Sequence, residues 1–543
     1  MLIAGRRTAY AALVLILGVF IAHRAAGQAA ASGGPSDADH GRILLVLPFD
    51  NRTGQPSLEW IREAAANLLG SRFASAGFAP MTRADRIYAL DHLGLPQSFQ
   101  PSRASSLKLA QTLDADSIVV GSYSTDGTQI VAEAQVVDVP HLRMSAPVMA
   151  RGEMRDMIAV FDSLAWRLTR QLDPSFSGAE ETFIAAGKSL RLDAYEQYIR
   201  GITEPDQAER LRHLEQAVKL SPDFGAAWMA LGREDYQDQQ YEQAAQAFAK
   251  VDSDGPDGLE AGFYRGLSLL FSGGYPQAEQ VFAQVARILP LAEVLNNQGV
   301  AVSRQGHDGT ALFVQAASAD PNVADYHFNL AVSLKRQGKT DAALNELAQC
   351  LKLRSSDSEA LALQTDWKAP AATQTTAAGA DPAARPDPLE RIVRTFDAVA
   401  FRQASQMLDQ MNETRLAALT SRERALKLSL QARGYLDRGL LLEAERLYQS
   451  AIAADGHVAE AHVGLALVRE RAGNAADARK EAHAALELTP SADAYLVLCR
   501  LDLADNRLSE ARDDAGNALK LDGSSQAAQE LMRQVRKRTD QSR

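Results

Sequence analysis

The residue types that could support chemistry include Gly187, Lys188 and Ser189, which match the end of a phosphate-binding loop. That motif, G-x4-G-K-S, uses glycines so that main-chain amides can surround a phosphate, and it follows a buried strand. Here Thr182 stands where the first glycine belongs, and no strand-like run precedes it. We interpret the three residues as a chance match, and the sequence predicts no cofactor.

The histidines and cysteines form no recognisable catalytic or metal-binding pattern. His457 and His462 are five residues apart, which is the wrong spacing for one face of a helix. Cys350 and Cys499 are the only two cysteines, too few for a disulfide framework or a zinc site, and we expect both thiols to be buried. The sequence contains no H-E-x-x-H, G-x-S-x-G or G-x-G-x-x-G motif. We therefore predict no catalytic residue, no metal site and no enzyme activity.

A constant repeat spacing indicates which elements organise the chain. Small, aromatic and proline residues recur 34 residues apart, at Gly232 and Gly266, Ala244 and Ala278, Phe248 and Phe282, and Pro256 and Pro290. With Trp228 and Leu231 before Gly232, this pattern resembles the tetratricopeptide repeat, or TPR. An ordinary helical bundle is the alternative, but four matched offsets disfavour it.

The resemblance implies pairs of helices that must stack, because one pair alone cannot bury its apolar face. The predicted fold is multidomain: a small α/β domain followed by an all-α TPR solenoid in two blocks. We place the first array at residues 190–366 and a linker rich in proline and alanine at 367–388. The second array then spans 389–538, with a partly helical restart at 389–411 and a basic capping helix at its end.

The same resemblance implies that an extended peptide or a helix of a protein partner binds along the first helices of the repeats. Solvated helix surface is the simpler alternative for each of these residues taken alone. The paired lysine and asparagine positions of the chaperone-binding TPR clamp are not reproduced, which argues against recognition of a free carboxyl terminus. The predicted groove residues are Arg233, Tyr236, Phe263, Phe271, Asn296, Arg304, Phe328, Lys335 and Arg336, with Arg433 in the second array.

Residues 42–173 are predicted to form the α/β domain, from a buried strand near Val46 and a hairpin around Asp126 and Gly127. The stretch VLPFDNRTG from Val46, followed by LEW from Leu58, resembles the opening of TolB amino-terminal-like domains. The stretch DADSIVVGSY from Asp114 continues that resemblance. It implies an envelope or signalling accessory module, and it supplies no catalytic residues.

Residues 1–30 have the composition of a secretory signal peptide, with Arg6 and Arg7 ahead of a short apolar run and small residues after it. Residues 31–41 then form a tether. We expect a periplasmic or exported protein. The alternative is an uncleaved inner-membrane anchor at residues 8–22, and only that alternative allows membrane contact.

Net charge separates the remaining classes of function. A charge of −11 and a pI near 5.5 disfavour nucleic acid as a partner. The sequence therefore predicts a non-catalytic scaffold for protein–protein interactions in the bacterial cell envelope. The alternative is a ligand-sensing or signalling accessory protein that acts through the 42–173 domain.

Overall fold

The computed structural model describes residues 43–96, 102–255, 257–369, 388–395, 411–412 and 414–541. These residues form two compact units. The first unit holds the described part of 222–410, and the second joins 43–221 to the described part of 411–541. The predicted signal peptide at 1–30, the tether at 31–41 and most of the predicted linker lie outside the described residues.

A mixed sheet of seven strands lies near the start of the second unit's described residues. The strands are β1 (Ile43–Val46), β2 (Asp50–Asn51), β3 (Ala79–Pro80), β4 (Ser117–Asp126), β5 (Gln129–Asp138), β6 (Arg143–Met144) and β7 (Val148–Glu153). Their order in the sheet is β3-β1-β4-β5-β6, with β2 paired to β4 and β7 paired to β5. β1 runs parallel to β3 and β4, whereas β4 and β5 form the predicted antiparallel hairpin around Gly127.

Four helices accompany this sheet: α1 (Ile61–Ser75), α2 (Arg83–His92), α3 (Arg103–Thr112) and α4 (Met157–Leu172). The apolar positions of α4 recur at helical spacing, and Phe161, Leu164 and Leu168 are fully buried. The Phe161 ring meets Phe49 edge-on, with 5.8 Å between ring centroids. These contacts give the predicted α/β domain its core.

The second unit continues into helices that the sequence had divided between two regions. The Tyr195 hydroxyl donates to Asn67 Oδ1 at 2.8 Å, which joins α6 (Leu192–Thr203) to α1. The Ala179 amide donates to the Glu445 carboxylate, which joins the start of α5 (Glu180–Gly187) to the second array. Residues 190–221, predicted as part of the first array, thus group with the α/β domain and the second array. These helices are α5 (Glu180–Gly187), α6 (Leu192–Thr203), α7 (Gln207–Leu220), α17 (Ser421–Asp437), α18 (Leu441–Ala454), α19 (Ala459–Ala472), α20 (Ala475–Leu488), α21 (Ala492–Ala504), α22 (Leu508–Leu521) and α23 (Gln526–Gln541).

The first unit is built from helices that pack in consecutive pairs. The turn within a pair requires a left-handed residue, and Gly273 and Gly306 supply it at φ +82° and +77°. The helices are α8 (Gly225–Gln237), α9 (Tyr241–Phe248), α10 (Gly258–Phe271), α11 (Tyr275–Ile288), α12 (Ala292–Arg304), α13 (Thr310–Ala319), α14 (Ala324–Arg336), α15 (Thr340–Leu353) and α16 (Ser358–Lys368).

Small and large side chains complement each other at the repeated positions. A Cβ atom added to Gly266 would come within 2.6 Å of the Phe282 ring. Ala244 and Ala278, which recur with the 34-residue spacing, are fully buried. The helices of each pair are therefore held close by residues that leave no room for a larger neighbour.

Ala278→Leu is expected to lower the free energy of unfolding by about 1–3 kcal/mol, because the added atoms must displace close-packed neighbours. Denaturant unfolding of the variant and the wild type measures the difference. Ala311→Leu, at an exposed position of α13, is the matched control and should leave the midpoint nearly unchanged. Equal midpoints for wild type and Ala278→Leu would contradict the assigned packing.

Candidate functional site

Three asparagines lie fully buried on the first helices of two neighbouring pairs. Asn296 and Asn297 belong to α12, and Asn329 occupies the position on α14 that lies 33 residues after Asn296. A buried carboxamide is costly unless its oxygen and its nitrogen both find partners. The partners of these three side chains therefore define what this surface binds.

The partners are the main-chain groups of residues 388–395, which run without helix or strand across α12 and α14; we call them the internal segment. Asn297 donates to Val393 O at 2.8 Å and accepts from Val393 N at 3.0 Å. Asn329 donates to Arg391 O at 2.8 Å and accepts from Arg391 N at 2.6 Å. Asn296 adds a bond to Arg391 O at 3.2 Å. Asn329 and Asn297 thus pair with residues 391 and 393, which are alternate residues of an extended chain, as a neighbouring strand would.

Two arginines enclose the Glu390 carboxylate, which is 1% exposed. Arg304 Nε lies 3.3 Å from Glu390 Oε2, and Arg336 pairs with Oε1. The Ser303 hydroxyl also bonds to Oε1. Arg336 Nη2 further donates to Pro388 O at 3.0 Å. A buried carboxylate is stabilised only by such paired, charge-assisted contacts.

The Arg391 side chain lies in an acidic site next to the one for Glu390. Its guanidinium stacks 3.6 Å from the centre of the Phe328 ring. It also bonds to Asp357 at 2.6 Å and 2.9 Å, to Asp325 at 3.0 Å and to Glu359 at 2.9 Å. These bonds from Arg391 lower the pKa of the Asp357 carboxyl to about 2. Burial alone would lower the pKa of Arg391, but its three acidic partners outweigh burial and raise it.

The rest of the internal segment makes apolar and aromatic contacts. Ile392 and Val393 pack, partly buried, against the core of the first unit. The Arg394 guanidinium lies 4.7 Å from the centre of the Phe271 ring on α10. Leu389, by contrast, is 57% exposed. We call the surface that holds the internal segment the groove. Its main-chain partners are Asn296, Asn297 and Asn329, and its side-chain partners are Phe271, Ser303, Arg304, Asp325, Phe328, Arg336, Asp357 and Glu359.

The helical pairs are similar to those of a known repeat family. A family model described as tetratricopeptide repeat matches residues 208–258 and 429–493. The chain contains tetratricopeptide repeats. No curated protein sequence matches it.

Three solved structures show a local likeness. YrrB, described as a TPR protein with an unusual peptide-binding site, is 15% identical and covers 37% of this chain and 99% of its own, with a TM-score of 0.29. MamA from Desulfovibrio magneticus RS-1 is 21% identical over 34% of this chain and all of its own, with a TM-score of 0.27. The LpoB C-terminal domain from Escherichia coli is 18% identical and covers 25% of this chain and 96% of its own, with a TM-score of 0.20.

Five of the nine residues that the sequence predicts to bind a partner lie together in the groove. Phe271, Asn296, Arg304, Phe328 and Arg336 all contact the internal segment.

The other four predicted residues make different contacts. Phe263 is fully buried in the core, with its ring 6.0 Å from Phe282, so its assignment as a binding residue is wrong. Arg233 pairs with Glu260, and Tyr236 packs among Tyr241, Tyr264 and Phe271. Lys335 lies over Trp367 at 5.6 Å and bonds to Thr340.

Sequence reasoning missed Asn297 and Asn329, which make the shortest contacts with the main chain of the segment. The available signal was an asparagine repeated 33 residues later, at Asn296 and Asn329, on helix faces that otherwise carry core residues. The acidic partners of Arg391 gave no comparable signal, because carboxylates are common on solvated helix surfaces. The sequence predicts a linker up to residue 388 and a partly helical restart from residue 389. In the structure, residues 388–395 form no helix, and the internal segment is extended.

A charged pair in the α/β domain is the other site that could have carried chemistry. Arg72 Nε lies 2.7 Å from Asp162 Oδ1, and the Asp162 side chain is completely unexposed. Burial raises the pKa of the Asp162 carboxyl to about 6, against the opposing charge of Arg72. Gly187 of α5 covers the pair so closely that an added Cβ would run into the carboxylate. The pair therefore links α1 to α4 and offers no surface to a ligand.

No cluster of three or more histidine, cysteine or acidic residues in the part of the chain that the structure describes could hold a metal ion. None of the described helices combines the length and apolar composition needed to cross a membrane.

In the second array, Arg433 lines an open cavity of about 460 Å³ together with Leu426, Leu430 and Tyr448.

Proposed function

We propose that this protein is a non-catalytic TPR scaffold that holds an extended segment of a protein partner in the groove. The observation that carries this proposal is the pairing of Asn297 and Asn329 with the main chain of residues 393 and 391. Those bonds depend on an extended backbone and not on the chain to which it belongs. A segment from another protein would make the same bonds, in the manner of peptide recognition by an added strand.

The groove provides binding contacts, which is why the proposal excludes catalysis. Its amides pair with main-chain groups, and its arginines and carboxylates pair with opposite charges on the segment. These contacts hold a ligand without activating a nucleophile or a leaving group. The proposal accordingly involves no cofactor and no nucleic acid.

We place the scaffold in the bacterial cell envelope, as a periplasmic or exported protein. Support comes from the basic start at Arg6 and Arg7, the apolar run and the small residues that follow it. The resemblance of residues 42–173 to TolB amino-terminal-like domains agrees with that setting. An anchor at residues 8–22 is the alternative form of the same proposal.

Intact-mass measurement of the protein purified separately from the periplasmic, membrane and cytoplasmic fractions of its native cells tests this location. We expect an amino terminus that begins close to residue 30, because signal peptidase cleaves after small residues of the kind found there. Membrane-bound protein that retains Met1 would favour the anchor. Protein with Met1 in the cytoplasmic fraction would contradict export.

The partner site is tested in a variant whose internal segment is weakened, because the native segment occupies the groove. The segment variant combines Glu390→Ala with Arg391→Ala. The proteins that it captures from envelope extracts are compared with those captured by a second variant, which also carries Asn296→Ala and Arg336→Ala in the groove. We expect groove-dependent partners to fall on the order of tenfold when the groove changes are added, because two direct contacts are lost.

Circular dichroism on every variant checks the fold in this comparison. If the same proteins are captured in equal amounts with and without the groove changes, the groove is not the partner site. The 42–173 domain would then be the next candidate.

A further inference from the structure

We propose that the groove selects an extended segment in which an acidic side chain is followed directly by an arginine. We further infer that the internal segment, residues 388–395, competes with such a partner for the groove, so the partner must displace it. This inference rests on the proposed function, because it concerns the chemistry and the regulation of the same groove. The main-chain bonds to residues 391 and 393 carry no sequence information, so selectivity must come from side chains.

The site that holds the Glu390 side chain is selective because it contains two positive charges. Arg304 and Arg336 both pair with the Glu390 carboxylate, and that side chain is 1% exposed. A neutral side chain at this place would leave two guanidiniums beside each other without their carboxylate. The Arg304 and Arg336 side chains are 22% and 34% exposed, so the cost is the loss of both ion pairs beside two like charges, and an acidic residue is preferred over a neutral one.

The arginine site is selective by both charge and shape. Asp325, Asp357 and Glu359 accept hydrogen bonds from different edges of the Arg391 guanidinium, whose flat face rests on Phe328. A planar fork can stack and reach several carboxylates at once. A lysine ammonium would supply the charge but not the flat face or the fork. We therefore expect arginine to be preferred over lysine at this position.

The two sites together select for a negative charge at position 390 followed by a positive charge at position 391. The positive site formed by Arg304 and Arg336 accepts residue 390, and the negative site around Asp357 accepts residue 391. Exchanging the two side chains would place like charges together in both sites. Such repulsion excludes a segment with the same composition in the wrong order.

The internal segment competes because it belongs to the same chain. Only 19 residues separate Lys368 at the end of α16 from Pro388. A short connection of this kind gives an effective concentration on the order of millimolar, so weak or mismatched segments cannot enter the groove. A partner that displaces it must supply the same pair of charges.

The test uses a fluorescent peptide with the sequence of residues 388–395, PLERIVRT, and follows its anisotropy with the full-length protein. We expect the segment variant to bind this peptide on the order of tenfold or more tightly than the wild type does, because its competitor is weakened. Leu389→Ala, at a residue 57% exposed, is the matched control and should bind as the wild type does.

Two altered peptides test the order and shape of the charges. One carries Glu390→Arg with Arg391→Glu, and the other carries Arg391→Lys. We expect both to bind the segment variant on the order of tenfold or more weakly than the native peptide does.

The outcomes distinguish a failure of this inference alone from a failure of the proposed function. Equal binding of the native peptide by wild type and segment variant would show that residues 388–395 do not compete, and would overturn the inference. Equal binding of the native and exchanged peptides would show that charge order is not read, and would overturn it too. If Asn297→Ala and Asn329→Ala, added to the segment variant, leave peptide binding unchanged, the groove is not the site and the proposed function fails as well. Replacing residues 388–395 by glycine and serine provides a second competitor-free protein if the first variant does not fold.

Discussion

Asn329→Ala is expected to release the internal segment from the groove about 30 to 1000 times more often than in the wild type. The Asn329 side chain is fully buried and makes three bonds: from Arg391 N, to Arg391 O and to Asn296 Oδ1. Its removal leaves the Arg391 N–H without this partner and leaves Arg391 O with only the 3.2 Å bond from Asn296. Loss of these bonds should cost about 2–4 kcal/mol of docking free energy, which corresponds to that range of opening.

Hydrogen exchange at the Val393 amide measures the release. This amide donates to Asn297 Oδ1 at 3.0 Å, and Asn297 is unchanged in the variant, so faster exchange reports movement of the whole segment. Asn322→Ala, at an exposed position, is the matched control and should leave the exchange rate alone. Unchanged exchange at Val393 in Asn329→Ala would show that the amide pairing does not hold the segment.

Asp162→Ala is expected to destabilise the second unit by about 3–5 kcal/mol, because it leaves the Arg72 guanidinium buried without its carboxylate. The pair joins α1 and α4 at 2.7 Å beneath Gly187. The measurement is hydrogen exchange of strand β4 amides under increasing denaturant, which reports this unit within the full-length protein. Protection that matches the wild type would mean that the pair contributes little.

A double variant separates the cost of an orphaned charge from the loss of a favourable pair. Arg72→Met combined with Asp162→Leu removes both charges and fills the space with apolar atoms. We expect it to lie within about 1–2 kcal/mol of the wild type, because replacing both members of a buried pair is often neutral or stabilising. A double variant as unstable as Asp162→Ala would indicate that the pair itself is strongly stabilising.

Features that depend on neighbouring residues, or that recur with the 34-residue repeat, could be predicted from the sequence. The close fit of Gly266 to Phe282 is a matter of size, and it recurs with the repeat, so one pair predicts the next. The positions of Asn296, Arg304 and Arg336 on the groove follow from the face that the first helix of each repeat presents. Phe263 and Phe271 lie on one helix but eight residues apart, about 80° around its axis, so one enters the core and the other reaches the groove.

The occupant of the groove could not be read in this way. Residues 388–395 belong to no repeat, and Asn297 and Val393 meet across 96 positions of sequence. No periodicity links such distant residues, and the charges of Glu390 and Arg391 are ordinary in a solvated chain. The grouping of residues 190–221 with the α/β domain was hidden for the same reason, because it rests on contacts between residues far apart in sequence, such as the Tyr195 hydroxyl and Asn67.

The discontinuous second unit imposes an order on biosynthesis. Residues 43–221 leave the ribosome before residues 222–410, and only afterwards do the residues that complete their unit emerge. At translation speeds of about 5–20 residues per second, the interval is about 10–40 s. Throughout that time the Ala179 amide lacks Glu445, with which it bonds in the finished unit. The Ala185 side chain likewise stays uncovered until the apolar cluster around Ala432 and Tyr448, against which it packs, has been made.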